Sequence, residues 1–470
     1  MYKKIENSQV SCIFGFSLFL SAFIFYYILL GGKAFILFSD DPHGLVYNSM
    51  LFHMLRGRWD VGPSAIGQEA FVRDGLAYAY FGPFPALLRL PLLVLPDWEQ
   101  LHVERLSCLL AMMTAAAAQS AAVLASLPRG RALVNQAVAP LLLVCVVLGG
   151  TPVAVSAKGA LVYHEAILWA WAFASLFVAV GVTSLLQPGG PTTASLCLMA
   201  LLAGLCLLTR VTTAIGLFVG LGLLLLRVLL RGGQGGIARR LAQPTLWAPG
   251  LILLAAVLSA ALVNLGRWGN PLVFADLHRQ VFQIARYPDR VARLDRFGLF
   301  NVRRLGFGIL YYFVPVWTDW LDAALPLKPR IAALFDALER PASSFLLTDP
   351  LSCWLAVLGL RSVVRRTAFA GASLLAAGFA VPPVLMLMAW YMAFRYRVEF
   401  QPLLLMLACI GLVDWLPLID RSAIRRVQLV LMCLCALQLF GTVWFALAYQ
   451  RAEFGPSCGY VGLSLFAQGC

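Results

Sequence analysis

Apolar runs of roughly twenty residues recur along the whole chain, and they constrain its fold more than any other feature. They lie at 12–32, 105–127, 137–155, 161–186, 194–209, 211–230, 246–265, 347–361, 367–394, 401–418 and 426–449. Each is near the ~20 residues an α-helix needs to cross a bilayer. A soluble chain would be about half apolar and a quarter charged, whereas this one is 61% hydrophobic and 12% charged. Its mean hydropathy is +0.83. The reading is an all-α polytopic membrane protein, a single transmembrane domain over 1–470 with about 11 spanning helices (10–13). No stretch resembles a soluble domain. The first run follows Met1-Tyr2-Lys3-Lys4 and lacks a small-residue cleavage site, so it is expected to be a retained signal anchor.

The charged residues between the runs suggest an orientation. The net charge is +14 and comes almost entirely from arginine. These arginines sit mainly in loops, which favours topology and contacts to anionic lipid or phosphate over nucleic acid. With the N-terminus cytoplasmic, eleven spans place Lys3-Lys4, Arg129/Arg131, Arg227 to Arg240, Arg361/Arg365/Arg366 and Arg421/Arg425/Arg426 at the inner face. That pattern obeys the positive-inside rule for short loops. The outer face then collects the elaborate segments: loop 33–104 with juxtamembrane helices, loop 266–346 and the tail 450–470. Residues 81–96 are apolar but broken by Pro83, Pro85, Pro91 and Pro96, and are expected to be re-entrant or interfacial. The run from Gly306 to Leu321 stays ambiguous. Cys458 and Cys470 share the outer tail and are candidates for a disulfide.

Polar clusters mark the outer ends of the runs. Asp40-Asp41 follows the first, where a carboxylate is costly at membrane depth. Either one suits a general base, or a ligand of a divalent cation, with His43 near enough to assist. No motif diagnoses a cofactor or metal. Residues 44–56 have helical spacing along the membrane surface. Arg58 opens a run to Tyr80 that mixes Arg, Trp and Tyr, residues that grip phosphate and stack on sugar faces. His164 and Glu165 sit near the outer end of the fourth run, with Lys158 as the expected partner of Glu165. Arg210 is at a hairpin tip, where it can meet lipid phosphate. Arg395, Tyr396, Arg397 and Glu399 form a tight turn between two long runs, and arginine forks match phosphate oxygens. The loop 266–305 carries eight arginines, which would suit a phosphate or diphosphate head group. The sequence contains no Walker A, HExxH, GxSxG or dinucleotide fingerprint.

Several of these stretches, taken in order, resemble the integral-membrane glycosyltransferases of the GT-C class, which include the protein O-mannosyltransferases and the lipid A aminoarabinose transferases. The resemblance rests on Asp40-Asp41 after the first span, Tyr80-Phe81-Gly82-Pro83-Phe84-Pro85, "AGLCLLTR" at Ala203 to Arg210, "RWGNPLVFAD" from Arg267 and "FRYRVEFQPLLLML" from Phe394. It implies a polyprenyl-phosphate-linked sugar donor, an extracytoplasmic site, Asp40 or Asp41 as the catalytic carboxylate, and Arg395 and Arg397 near the donor phosphate. The Gly82-to-Pro85 segment departs from the Lys-Pro-Pro pattern of the aminoarabinose group. No large C-terminal domain follows the last run, so an oligosaccharyltransferase is not expected.

The expected function is transfer of a hexose or pentose, with inversion, to a glycan, lipid or protein acceptor at the outer face of a cell membrane, a bacterial inner membrane for preference. Two alternatives share many of these features. A lipid-linked-sugar or solute transporter would place its polar residues at the bilayer midplane, and the polar clusters here lie near one face. A glycan polymerase or ligase would transfer an assembled chain.

Overall fold

The computed structural model describes residues 2–31, 36–38, 41, 43–231, 243–287, 289–314, 334–335, 337–338 and 344–451. Asp40, Cys458, Cys470 and the second half of the 306–321 run lie outside these. Most of the chain is helical. The principal helices are α1 (Tyr2–Gly31), α2 (Val46–Met54), α3 (Glu104–Ala125), α4 (Ala132–Leu148), α5 (Thr151–Ser156), α6 (Val162–Leu186), α7 (Thr193–Leu207), α8 (Val211–Arg231), α9 (Pro244–Trp268), α10 (Pro350–Arg365), α11 (Ala370–Phe379), α12 (Val381–Leu387), α13 (Gln401–Trp415) and α14 (Ile424–Arg451).

Among the described residues nine helices are long and apolar enough to cross a membrane, against the eleven expected. The difference falls on two runs. The run at 194–209 forms α7, of 15 residues, and that at 347–361 forms α10, of 16 residues. At about 1.5 Å per residue both fall short of a ~30 Å hydrocarbon core. Both are nonetheless integral to the bundle: α7 packs along α9 and α6, and α10 packs along α13. The α10–α13 crossing is close because it is made of glycine. A Cβ at Gly359 would lie 1.8 Å from the Leu407 carbonyl oxygen, and one at Gly411 would lie 2.5 Å from that of Leu355. Small residues let helices approach where lipid offers no hydrophobic drive for association.

The bundle has two distinct ends. At one, the connections are short; the Arg131 guanidinium donates to the Pro417 carbonyl and, at 3.2 Å, to that of Ile419. At the other lie the exits of α1, α7 and α9 and the starts of α3, α6, α8 and α13. The segment 43–103 builds a cap here. α2 packs on a small apolar cluster that includes Val46, Tyr47, Val61, Ile66, Ala79 and Phe81. Residues Phe84–Leu87 and Leu90–Val94 form short helical turns within the 81–96 stretch. An antiparallel hairpin, β1 (Phe71–Arg73) and β2 (Leu76–Tyr78), completes the cap. The all-helix expectation missed it, although Asp74-Gly75, both at positive φ, is the signature of a tight hairpin turn.

One buried ion pair fastens this cap to the bundle. Arg89, from the proline-rich stretch, donates to both Glu165 oxygens, with Nη2 to Oε2 at 2.9 Å. Ser107 Oγ donates to Glu165 Oε1 at 2.5 Å, and Trp169 Nε1 donates to that hydroxyl at 2.9 Å. The expected partner Lys158 is thus replaced by Arg89. Arg89 reaches Glu165 because the interrupted turns of residues 84–94 fold inward against α6.

Candidate active site

The acidic wall of the site is Asp41. Arg105, the second residue of α3, holds both of its oxygens, at 2.6 Å each. The same guanidinium donates to the Gly31 and Ile36 carbonyls at 2.9 and 2.8 Å. Arg105 therefore both orients the carboxylate and closes the exit of α1. Beside it, the Glu104 carboxylate lies against Gly44 and 3.2 Å from His102 Nδ1. His43 occupies the left-handed region with φ of 64° and faces Gly67. The turn at Gly159 passes close to Asp41 Oδ1 and leads into Tyr163.

Tyr163 belongs to the second half of the site. The Arg395 guanidinium lies 4.6 Å from the centre of the Tyr163 ring, 5.4 Å from Tyr391 and 5.5 Å from Tyr396. Arg210 sits 5.5 Å from the Tyr396 ring and is salt-bridged to Glu399. That carboxylate also accepts from Thr212 Oγ1 at 2.6 Å and Thr213 Oγ1 at 2.5 Å. The Tyr80 phenol is within electrostatic reach of Tyr396, Glu69, Arg210 and Arg395. Two arginines among four tyrosines put guanidinium forks, whose geometry matches phosphate oxygens, beside several aromatic faces.

The 394–400 turn does not present all its charges to this cluster. It is a 3₁₀ helix, so residues three apart share a side. Phe394, Arg397 and Phe400 make the inner side and are all buried. Tyr396 and Glu399 make the Arg210 side. Arg397 consequently points into the bundle, 4.4 Å from the Phe394 ring centre and 3.5 Å from Thr348 Oγ1. The neighbouring Asp349 accepts from Thr151 N at 3.1 Å and from Gln401 Nε2 at 3.0 Å. Arg397 thus sits apart from Arg395, although the two are adjacent but one in sequence.

Other candidates are also set apart. Glu165 is fully enclosed by Arg89 and Ser107. His164 is buried edge-on to Tyr163 and Tyr449, with ring centres 5.1 and 6.3 Å apart. Arg58 lies on the cap, where Nε meets Asp60 Oδ1 at 2.9 Å; His53 Nδ1 is 3.1 Å from the same oxygen. Burial alone would raise the Asp60 pKa, but the Arg58 and His53 hydrogen bonds hold it below its ordinary value. The arginines of 266–305 are not one phosphate-facing patch. Arg267 is buried and donates to the Phe81 carbonyl at 2.7 Å. Arg304 is buried and donates to the Leu334, Gly298, Leu299 and Met388 carbonyls. Among the described residues no group of three or more His, Cys, Asp or Glu is placed to hold a metal ion.

Four stretches that are far apart in sequence meet here. Phe84 N donates to the Leu208 carbonyl at 2.9 Å, Arg267 reaches Phe81, and Arg210 reaches Glu399. The first contact depends on Gly82, where a Cβ would lie 2.2 Å from the Leu208 carbonyl oxygen. Gly82→Ala is therefore expected to push the 81–85 segment off the α7–α8 turn and displace Tyr80 and Arg210. It should lower the apparent Tm, reflecting about 1–3 kcal/mol of overpacking strain; an unchanged Tm in a thermal-shift assay would contradict this contact.

This architecture is the GT-C membrane glycosyltransferase fold. The oligosaccharyltransferase AglB from Archaeoglobus fulgidus, solved with an inhibitory peptide and a dolichol-phosphate, matches 94% of this chain and 56% of its own, with a TM-score of 0.51 and 12% sequence identity. The Archaeoglobus fulgidus oligosaccharyltransferase tethered to an acceptor peptide containing the NVT sequon gives a TM-score of 0.51 at 13% identity, over 94% and 55% of the two chains. ArnT from Cupriavidus metallidurans bound to undecaprenyl phosphate matches 92% of this chain and 76% of its own, at 15% identity and a TM-score of 0.44. The chain spans a little over half the length of the oligosaccharyltransferase, and at these identities the likeness is one of fold. No family profile matches the sequence, and no curated protein matches it either.

Proposed function

We propose that this protein transfers a sugar from a polyprenyl-phosphate-linked donor to an acceptor hydroxyl or amine on a glycan, lipid or protein at the extracytoplasmic face of a cell membrane. The observation that carries the reading is the convergence at one bundle end of Asp41, oriented by Arg105, with the Arg210–Arg395–tyrosine cluster. The GT-C fold supports it. The short basic connections at the opposite end support a cytoplasmic assignment for that end and for the N-terminus, as in a bacterial inner membrane.

In the proposed chemistry, a carboxylate of the Asp40-Asp41 pair accepts the proton of the acceptor group. The acceptor atom bonds to the anomeric carbon as the bond from that carbon to the phosphate oxygen breaks, with inversion. The electron pair leaves on polyprenyl phosphate, whose growing charge is stabilised by guanidinium groups. Arg395 is assigned to that phosphate, with Arg210 held beside it by Glu399. Tyr80, Tyr163 and Tyr396 form the wall for the sugar. Arg397, which the family resemblance also places near the phosphate, acts by holding the 394–400 turn onto Thr348.

Arg395→Ala is expected to lower transfer of radiolabelled sugar from polyprenyl-phosphate donors about 10²–10³-fold, in proteoliposomes, without altering the apparent Tm. Wild-type-like transfer by the variant would remove Arg395 from the site. Movement of intact lipid-linked sugar across the bilayer, with no new glycosidic bond, would favour a flippase.

A further inference from the structure

A second site lies at the far end of the same helices. A cavity of about 420 Å³ opens between the C-terminal parts of α6, α8 and α13 and the stretch 368–372. That volume lies within the range of small-molecule pockets. It penetrates the bundle, because lining residues Val182, Leu224, Ala372, Met406, Cys409 and Ile410 are buried. Arg227 is the single charged side chain among its described lining residues. Arg227 lies seventeen positions after Arg210, which immediately precedes α8, and at about 1.5 Å per residue that is roughly 25 Å. Arg227 thus stands at the opposite end of the bundle, half-buried with its guanidinium beside Gly371 at the cavity.

From this arrangement we infer that the cavity holds an acyl chain of an anionic diacyl phospholipid, with its phosphate on Arg227. An apolar pocket with one guanidinium at its rim has the two parts such a lipid requires, an apolar channel and a fork matched to phosphate oxygens. Burying an acyl chain here gains little over leaving it in the bilayer, since lipid tails are as apolar as the lining. Selectivity therefore comes from head-group charge. The polyprenyl donor is not the occupant, because its phosphate belongs at the other end of the bundle.

The test is native mass spectrometry of the full chain released from nanodiscs of phosphatidylcholine containing a minor share of phosphatidylglycerol. Wild-type protein is expected to retain one phosphatidylglycerol, enriched about tenfold over its bulk share, equivalent to ~1.4 kcal/mol. Arg227→Gln should remove that enrichment, and Ala372→Phe should fill the cavity and remove the retained lipid. Retention by wild-type protein in the bulk ratio would overturn the proposal whatever the variants do. So would unchanged enrichment in folded Arg227→Gln, which would place the lipid elsewhere. Inorganic phosphate at millimolar concentration is expected to leave the apparent Tm unchanged; a rise abolished by Arg227→Gln would show a free-phosphate site and overturn the lipid assignment.

Discussion

Asp41→Asn is expected to abolish sugar transfer while leaving the protein folded. Asparagine keeps the shape of the side chain and one acceptor oxygen, so Arg105 retains a partner near Gly31 and Ile36. It cannot take a proton from the acceptor. Losing a positioned general base costs typically 10²–10⁴-fold in rate. Asp40→Asn is the necessary companion, because the two carboxylates are adjacent and only one need receive the proton. Loss in Asp40→Asn with activity kept in Asp41→Asn would make Asp41 the anchor of the α1 exit. Full activity in both variants, measured with a polyprenyl-phosphate sugar and matched protein amounts, would end the assignment of this pair. Arg105→Ala separates orientation from chemistry: it should lower kcat with the Asp41 carboxylate still present.

Arg89→Ala should destabilise the protein more than any surface change. It would leave the Glu165 carboxylate, wholly buried, facing Ser107 alone. Removing one partner of a buried pair typically costs about 3–5 kcal/mol, a large part of the ~5–15 kcal/mol that holds a domain together. The cap formed by residues 43–103 would then lose its ionic tie to α6 and keep the Tyr47 hydroxyl on the Val162 carbonyl and the Phe84–Phe173 ring contact. Replacing both partners with apolar residues, Arg89→Met with Glu165→Leu, should recover much of the loss, since a well-packed apolar pair often equals a buried ion pair. Thermal unfolding of the two single variants and the double variant gives the coupling energy. An unchanged Tm in Arg89→Ala would mean the pair does not fasten the cap.

Much of this fold was readable from local pattern. The apolar runs mark the helices because length and composition act over a single segment. Gly and Pro marked 81–96 as a broken stretch, and its short turns follow from the same residues. The carboxylates after the first run and the Arg-Tyr turn before α13 stood out because charge in apolar sequence is costly wherever it falls. Partners were harder to read. Lys158 is seven residues from Glu165, but the ion pair is with Arg89, seventy-six residues away in sequence. Arg105 went unremarked, one charge at the head of a long apolar run, and its bond to Asp41 spans sixty-four positions.

By itself the sequence determined that this is a polytopic helical membrane protein and the approximate set of its helices, since both depend on hydropathy and charge within short windows. Tertiary structure alone decided which charges are spent on the scaffold. A 3₁₀ turn sends Arg395 to the tyrosine cluster and Arg397 to Thr348 and the Phe394 ring because three residues complete a turn, and spacing by two therefore parts them. Burial sets the rest: inside a bundle a charge must find an opposite charge or hydrogen-bond acceptors, and which of them is near is a property of how distant helices cross.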